Sequence, residues 1–141
     1  MKTSNKGIDL IKRHEGLELK AYLDAAGVWT IGYGHTGGVK SGDVISDRQA
    51  EELLQADLAT AERAVSVQRL RLNQNQFDAL VSFVYNVGAG NFNRSTLLRY
   101  ARVNVNDTRI RQEFSRWIYA GKKILPGLVK RRREEAALYF S

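Results

Sequence analysis

The sequence has no cysteine, one proline and two histidines among its 141 residues. Without cysteine the chain forms neither a disulfide nor a thiolate metal site, and it has no cysteine nucleophile. Only His14 and His35 offer imidazoles, so a histidine-based metal centre is not expected. No apolar run reaches 18 residues, and the first ten residues lack the apolar segment of a signal peptide. The sequence therefore predicts no metal, no cofactor, no export signal and no membrane anchor.

The chain carries more positive than negative charge. Lys and Arg outnumber Asp and Glu by 22 to 15, which gives a net charge of +7. A basic surface attracts polyanions such as nucleic acid, anionic lipid or an acidic cell-wall polymer. Residues 130–133, with Lys122 and Lys123 before them, form the most basic stretch and are predicted to be a solvated helix face. Nonspecific attraction to an anionic wall or lipid is the alternative. No motif indicates sequence-specific binding of nucleic acid.

Two carboxylates and a hydroxyl follow each other closely between Glu15 and Thr30. Ser4 or Asn5 can cap a helix that Gly16 ends, so Glu15 falls in its last turn. The carbonyl end of a helix carries partial negative charge, which disfavours an ionised Glu15. That setting suits a general acid, which must hold its proton near neutral pH.

A β-hairpin is predicted directly after this helix. Residues 19–24 alternate apolar and polar side chains, residues 25–27 can turn the chain, and residues 28–31 are rich in β-forming types. A tight hairpin places Asp24 near its mouth and Thr30 roughly opposite, where the two can share one water. An Asp beside a turn usually makes turn hydrogen bonds, but two carboxylates in different electrostatic settings are the pattern of glycoside hydrolysis.

The spacing of Glu15, Asp24 and Thr30, followed by Ile-Gly-Tyr-Gly-His-Thr at 31–36, resembles the phage-type lysozymes, the endolysins related to those of phages T4 and P22. Three further segments resemble family signatures in the family's order: residues 77–88, 95–98 and 125–133. The resemblance covers nearly the whole chain. It favours the P22-like branch over the longer T4 enzyme.

This resemblance implies a muramidase that hydrolyses the β-1,4 bond between N-acetylmuramic acid and N-acetylglucosamine in peptidoglycan. Glu15 would protonate the glycosidic oxygen. Ionised Asp24 would align a water and counter oxocarbenium charge, and Thr30 would help to hold that water. The resemblance also implies single displacement with inversion. We expect a monomer that is made in the host cytoplasm and acts on the wall after release.

Other residues match family positions around the cleft. Four are predicted to contact saccharide: Thr36, Tyr85, Asn86 and Ser95. The resemblance implies a supporting structural role for His35. His14 is predicted to be exposed and inert, because a neighbour one residue away on a helix points elsewhere. Trp117 follows Ile110 and Phe114 on one helical stripe, which favours the core.

Helix signals organise the rest of the chain. Two capping boxes predict helix starts: Ser46 with Gln49, and Asn73 with Gln76. The first helix extends over 46–64, close to 30 Å, which is long enough to connect two lobes. The second is apolar nearly all round and predicts a central helix ended by Gly88 and Gly90.

Three shorter helices are predicted in the last third. Their boundaries are marked by Asn93 and by Asn106 or Asp107 as caps, by Gly121 as an end, and by Pro126 as a start. The fold class is therefore α+β and lysozyme-like, with an all-helical C-terminal lobe and a cleft between lobes. One domain is expected, with residues 13–60 forming the β-containing lobe and residues 1–12 and 61–141 the helical lobe.

Rival functions come from other classes. The first is a noncatalytic peptidoglycan-binding module on the same fold, which the intact triplet Glu15, Asp24 and Thr30 disfavours. The second is a nucleic-acid-binding protein, suggested by charge alone. A lytic transglycosylase is the third, and it typically works with one acid, so the Asp24–Thr30 pair argues against it.

Overall fold

A computed structural model describes residues 1–141 and contains seven α-helices and two small antiparallel sheets. In chain order the elements are α1 (Asn5–Glu15), β1 (Glu18–Leu23), β2 (Trp29–Gly32), α2 (Asp47–Ser66), α3 (Gln74–Val87), α4 (Ala89–Arg94), α5 (Thr96–Val103), α6 (Ile110–Phe114), β3 (Tyr119–Ala120), β4 (Lys123–Ile124) and α7 (Pro126–Tyr139). The α+β fold class is the predicted one. None of these helices is both long enough and apolar enough to cross a bilayer.

The predicted helix and hairpin at the start of the chain are both present. Helix α1 ends at Glu15, where Gly16 adopts a φ of 70° and donates its N–H to Lys12 O. Strands β1 and β2 pair antiparallel, and the Asp24 N–H to Val28 O hydrogen bond of 2.9 Å closes the turn. Because α1 leads almost directly into β1, the last residue of the helix lies beside the hairpin.

Both capping boxes form as predicted. Ser46 accepts from the Gln49 N–H, and Asn73 accepts from the Gln76 N–H, while each Gln side chain returns to the cap backbone. Helix α2 spans 20 residues, two more at its C-terminal end than predicted, and is about 30 Å long.

Helix α3 forms the centre of the core. Every one of its residues from 76 to 84 is buried, and it packs against α1, α2 and α7. A helix apolar nearly all round requires such surroundings. The division into lobes at residues 13–60 stays a prediction.

The start of the helix predicted at Asn93 is wrong. Helix α4 begins directly after Gly88, whose φ of 90° lets the chain turn and start a new helix, so Gly90 lies within α4. The cap of α5 is Ser95, whose Oγ accepts from the Leu98 N–H at 3.1 Å.

The helix start predicted at Asn106 or Asp107 is also wrong. Neither residue caps α6, because Asp107 instead accepts the Arg109 N–H at 2.9 Å in a local turn.

The prediction that the second lobe is all helix is wrong as well. Strands β3 and β4 form a second hairpin, and Gly121, with a φ of 61°, lies in its turn instead of ending a helix.

Candidate active site

A cleft of about 1150 Å³ lies between the β1–β2 hairpin and the part of the chain formed by the β3–β4 hairpin and the start of α7. Six of the seven predicted catalytic and saccharide-contacting residues line it: Glu15, Asp24, Thr30, Thr36, Tyr85 and Asn86. A volume above about 1,000 Å³ is large for a small-molecule pocket and fits an extended ligand.

Glu15 lies between a guanidinium and a loop backbone. Its Oε2 accepts from Arg131 Nη1 at 2.6 Å, and its side chain is 15% exposed. On the other side is Gly34, where an added Cβ would lie 2.8 Å from Glu15 Cδ. Gly34 also has a φ of 77°, so both space and conformation require glycine here.

The prediction of a solvated face at residues 130–133 is wrong for two of its four members. Arg131 is 3% exposed and Arg132 is 1% exposed, whereas Lys130 and Arg133 face solvent. The reason is a carboxylate one turn further along α7, because Glu135 pairs with both buried arginines. Buried guanidiniums require such partners.

The environments of the two buried arginines differ. Burial alone would lower the pKa of Arg131, but the carboxylates of Glu15 and Glu135 raise it. Burial lowers the pKa of Arg132 to about 10, although Glu135 opposes the shift. Arg131 is thus the firmly charged cation beside Glu15.

Asp24 is anchored by its turn. Its Oδ1 accepts the N–H groups of Ala26 at 2.8 Å and Val28 at 2.9 Å. The expected turn hydrogen bonds therefore form on one carboxylate oxygen. The second oxygen, Oδ2, makes no hydrogen bond within the protein.

Thr30 lies on the adjacent strand of the same hairpin. It pairs with Tyr22, and Leu23 pairs with Trp29, so the predicted position of Thr30 opposite Asp24 is wrong. Its hydroxyl donates to Val28 O at 2.9 Å, which leaves the oxygen able to accept from a water. Both side chains nevertheless line the same cleft.

The predicted saccharide contacts differ in their surroundings. Tyr85 donates to Tyr33 O at 2.5 Å, and burial raises its pKa, so the hydroxyl stays protonated. Asn86 is exposed and accepts from Arg132 Nη2 at 2.8 Å. Thr36 is exposed at the cleft. Ser95 is buried as the cap of α5 and does not line the cleft.

His35 connects the loop after β2 to helix α2. Its Nδ1 lies 2.8 Å from Asp57 Oδ2, and its Nε2 lies 2.9 Å from Gly37 O. These contacts hold the segment that carries Thr36. The supporting role of His35 in the site stays a prediction.

The prediction that His14 is exposed is wrong. Its side chain is only 10% exposed, lines the cleft and contacts the carboxylate of Glu134 on α7. Burial lowers the pKa of His14, and Glu134 opposes that shift. The contact links the end of α1 to α7.

His14 is expected to make stability depend on pH. Because the folded pKa of His14 lies below its ordinary 6.5, the unfolded chain takes up this proton at higher pH than the folded chain. The free energy of unfolding should therefore fall, relative to that of His14→Gln, as the pH drops from about 7 to about 5. Thermal melts of both proteins across this range measure the difference. A relative gain in stability on acidification would show that the Glu134 contact dominates.

Several cleft residues were not predicted from the sequence. They are Tyr22, Arg116, Trp117, Tyr119 and Arg131. Trp117 does pack against the core, with its ring 5.7 Å from that of Phe83, and also lines the cleft. The sequence does contain one indication that Arg131 forms an ion pair, because Glu135 follows it one helical turn later. No group of three or more His, Asp or Glu side chains is arranged to bind a metal ion.

Two carboxyl groups in contrasting environments therefore face one extended cleft, Glu15 against a buried cation and Asp24 at the mouth of a hairpin. Two carboxyl groups facing an extended cleft on an α+β fold are typical of a lysozyme-like glycosidase. The family model described as phage lysozyme matches residues 12–135. The chain belongs to the phage lysozyme family, which confirms the resemblance found in the sequence.

Individual relatives are similar along the whole chain. The endolysin of Acyrthosiphon pisum secondary endosymbiont phage 1 is 48% identical over 147 residues, covering 100% of this chain and 99% of the relative. For the endolysin of Salmonella phage P22 the identity is 44% over 148 residues, with the same coverage. The solved structure of an endolysin from an Escherichia coli phage, FAHEc1, has a TM-score of 0.87 at 39% identity and covers 100% of this chain and 94% of that one. The chain is accordingly a muramidase that degrades peptidoglycan.

Proposed function

We propose that this enzyme hydrolyses the β-1,4 bond between N-acetylmuramic acid and N-acetylglucosamine, with Glu15 as the general acid. The observation that carries the proposal is the placement of Glu15 in the cleft, with Oε2 held by Arg131 at 2.6 Å. With one oxygen so fixed, the other can present a proton to the glycosidic oxygen. Arg131 then stabilises the carboxylate that forms when the proton leaves.

Asp24 and Thr30 are proposed to hold the attacking water. Asp24 keeps Oδ2 unbonded while its turn fixes Oδ1, and Thr30 offers a hydroxyl oxygen whose proton is directed to Val28 O. Together they provide acceptors on the hairpin side of the cleft. Asp24, as a carboxylate, also counters the positive charge of the oxocarbenium-like transition state.

We further propose a single displacement that inverts the anomeric carbon. A water held by the hairpin attacks the sugar from the face opposite the departing oxygen, and Glu15 supplies the proton to that oxygen. Thr36, Tyr85 and Asn86 are proposed to contact the saccharide along the cleft.

Product analysis of digested peptidoglycan tests the reaction. Hydrolysis should release fragments that end in reducible N-acetylmuramic acid. A lytic transglycosylase would instead leave anhydro ends, a glucosaminidase would leave reducible N-acetylglucosamine, and a noncatalytic module would leave the wall intact. Any of these three results would contradict the proposed function.

The exposed basic residues are proposed to attract the enzyme to the anionic wall. Arg131 and Arg132 are excluded from this role because they are buried, which leaves Lys130 and Arg133 on α7 and two lysines near the β3–β4 turn. Charges in solvent act over roughly 10 Å at moderate salt. They can therefore raise the local concentration of enzyme at the wall without touching the reacting sugar.

This attraction predicts that cell lysis and the hydrolysis of a small substrate depend differently on salt. Lysis of cells should slow as salt is added, whereas hydrolysis of a small neutral oligosaccharide should barely change. Replacing Lys130 and Arg133 by Gln should slow lysis at low salt and leave oligosaccharide hydrolysis unaffected. Initial rates on both substrates across a salt series provide the measurement. Equal salt sensitivity on the two substrates would show that charge acts in the cleft.

A further inference from the structure

A buried carboxylate outside the proposed mechanism lies behind the active-site arginine. Glu135 is 0% exposed, and its Oε2 accepts from Ser82 Oγ at 2.6 Å and from Arg131 Nε at 3.2 Å. Arg131 reaches from Glu135 to Glu15, with Nε bonded to one carboxylate and Nη1 to the other. Its Nη2 donates to Ser82 O at 3.1 Å. The arginine beside Glu15 is thus fixed from behind by Glu135 and α3.

A second buried arginine completes the cluster. Arg132 Nε lies 2.9 Å from Glu135 Oε1, but Nε, Nη1 and that oxygen have no aligned hydrogen-bond partner. This contact is therefore mainly electrostatic. A buried ion pair rarely stabilises a fold more than apolar residues of the same volume would. Buried polar atoms without hydrogen-bond partners lower the stability of the fold. Stability alone therefore does not explain the cluster, which indicates a functional role.

The charges of the cluster nearly cancel. With Glu15 ionised, two guanidiniums face two carboxylates and the sum is zero. When Glu15 carries the proton that a general acid needs, the sum is +1. Because the cluster is buried, a change in the charge of Glu135 or Arg132 is weakly screened and acts on the charge state of the whole cluster.

We propose that Glu135 is a positioning residue that holds Arg131 against Glu15 and, by its buried charge, sets the upper pH limit of the reaction. This inference rests on the proposed role of Glu15 as general acid. Glu135 itself touches neither substrate nor the reacting atoms.

Other titratable or charged groups also face Glu15 or its neighbours. They are His14 on α1, Glu18 and Tyr22 on β1, Asp24 after β1, Asp57 on α2, Tyr85 on α3, and Arg131, Arg132 and Glu134 on α7. The four carboxylates in this set all have substantial solvent access, so water screens them. Glu135 is the fully buried carboxylate, and its charge is screened least.

The test is the pH dependence of kcat/KM on a soluble peptidoglycan fragment, whose alkaline limb reports the essential acid of the free enzyme. Glu135→Gln should move this limb to lower pH, on the order of one pH unit for one charge across a guanidinium at an effective dielectric constant of about 20. Arg132→Met removes the opposite charge and should move the limb to higher pH. The double variant should return it toward the natural position.

Asp78→Asn serves as the matched control. Asp78 is a second fully buried carboxylate and accepts from Ser4 N at 3.0 Å and Gln74 Nε2 at 2.7 Å, away from the cleft. Its substitution should lower the melting temperature and leave the alkaline limb in place. A shift that merely follows lost stability would appear in this variant too.

The outcomes separate the two levels of the proposal. If both charge variants fold and neither moves the limb, or if both move it in the same direction, the role of Glu135 is overturned. If Glu135→Gln alone does not fold, the double variant decides the question, because it differs from Arg132→Met only at Glu135 and its alkaline limb should lie at lower pH than that of Arg132→Met. Loss of activity in Glu15→Gln with an unmoved limb in the charge variants rejects only this inference. Retained activity in Glu15→Gln rejects the proposed function as well.

Discussion

Glu15→Gln is expected to lower the rate of peptidoglycan hydrolysis by about 10²–10⁴-fold or more, because the cleft has no other proposed proton donor. The amide matches the carboxyl group in size but has no proton to give. Substrate binding should change little, so the loss should appear in kcat. Turnover of a soluble fragment by the purified variant provides the measurement.

Glu18→Gln is the matched control, since Glu18 is exposed at the start of β1 and does not line the cleft. It should keep nearly the full rate. If Glu15→Gln kept more than about a tenth of the natural activity, the assignment of Glu15 as general acid would be wrong.

The effect of the same change on stability differs from what the sequence suggests. A carboxylate at a helix carbonyl end is unfavourable, which predicts unchanged or increased stability for Glu15→Gln. The structure adds an ion pair to buried Arg131 at 2.6 Å. Its loss should lower the free energy of unfolding by about 1–3 kcal/mol. Chemical denaturation measures this value.

Thr30→Glu is expected to change the course of the reaction. Thr30 lines the cleft on the hairpin side, so a longer carboxylate there would occupy the proposed position of the attacking water. Its oxygen would then attack the anomeric carbon while Glu15 protonates the leaving oxygen, and a covalent glycosyl-enzyme would form. Hydrolysis of this glycosyl-enzyme should be slow, because the water needed for it has lost its binding site. Intact-mass spectrometry after incubation with wall fragments should reveal a saccharide adduct.

The double variant Glu15→Gln with Thr30→Glu provides the control for trapping. Without the acid no leaving group departs, and no adduct should accumulate. If Thr30→Glu is folded and binds fragments but carries no adduct, then Thr30 does not face the reacting carbon. Its water-holding role would be abandoned, and the role of Glu15 would be unaffected.

Local signals in the sequence predicted much of the fold. The Ser46 and Asn73 capping boxes form, because each depends on residues three positions apart. The β1–β2 hairpin turns at Gly27, whose φ of 78° is one that glycine adopts readily. Such features need no knowledge of distant parts of the chain.

The surroundings of the site depend on contacts between distant residues and were not predicted. Glu15 and Arg131 are 116 positions apart, and His14 meets Glu134 across 120. The sequence prediction placed Arg131 in solvent because it lies in a run of basic residues. Its burial is explained by its ion pairs with Glu15 and Glu135. The β3–β4 hairpin was missed for a related reason, since two-residue strands have too little pattern to compete with a helical stripe.

In the proposed mechanism, a water on the hairpin side of the cleft displaces the leaving group directly while Glu15 donates the proton. Proton NMR of a soluble substrate, recorded before the products mutarotate, tests this most directly. The first N-acetylmuramic acid ends to appear should have the α configuration, inverted from the β-linked substrate. Initial formation of β ends would show retention through a double displacement, and it would contradict the proposed roles of Asp24 and Thr30.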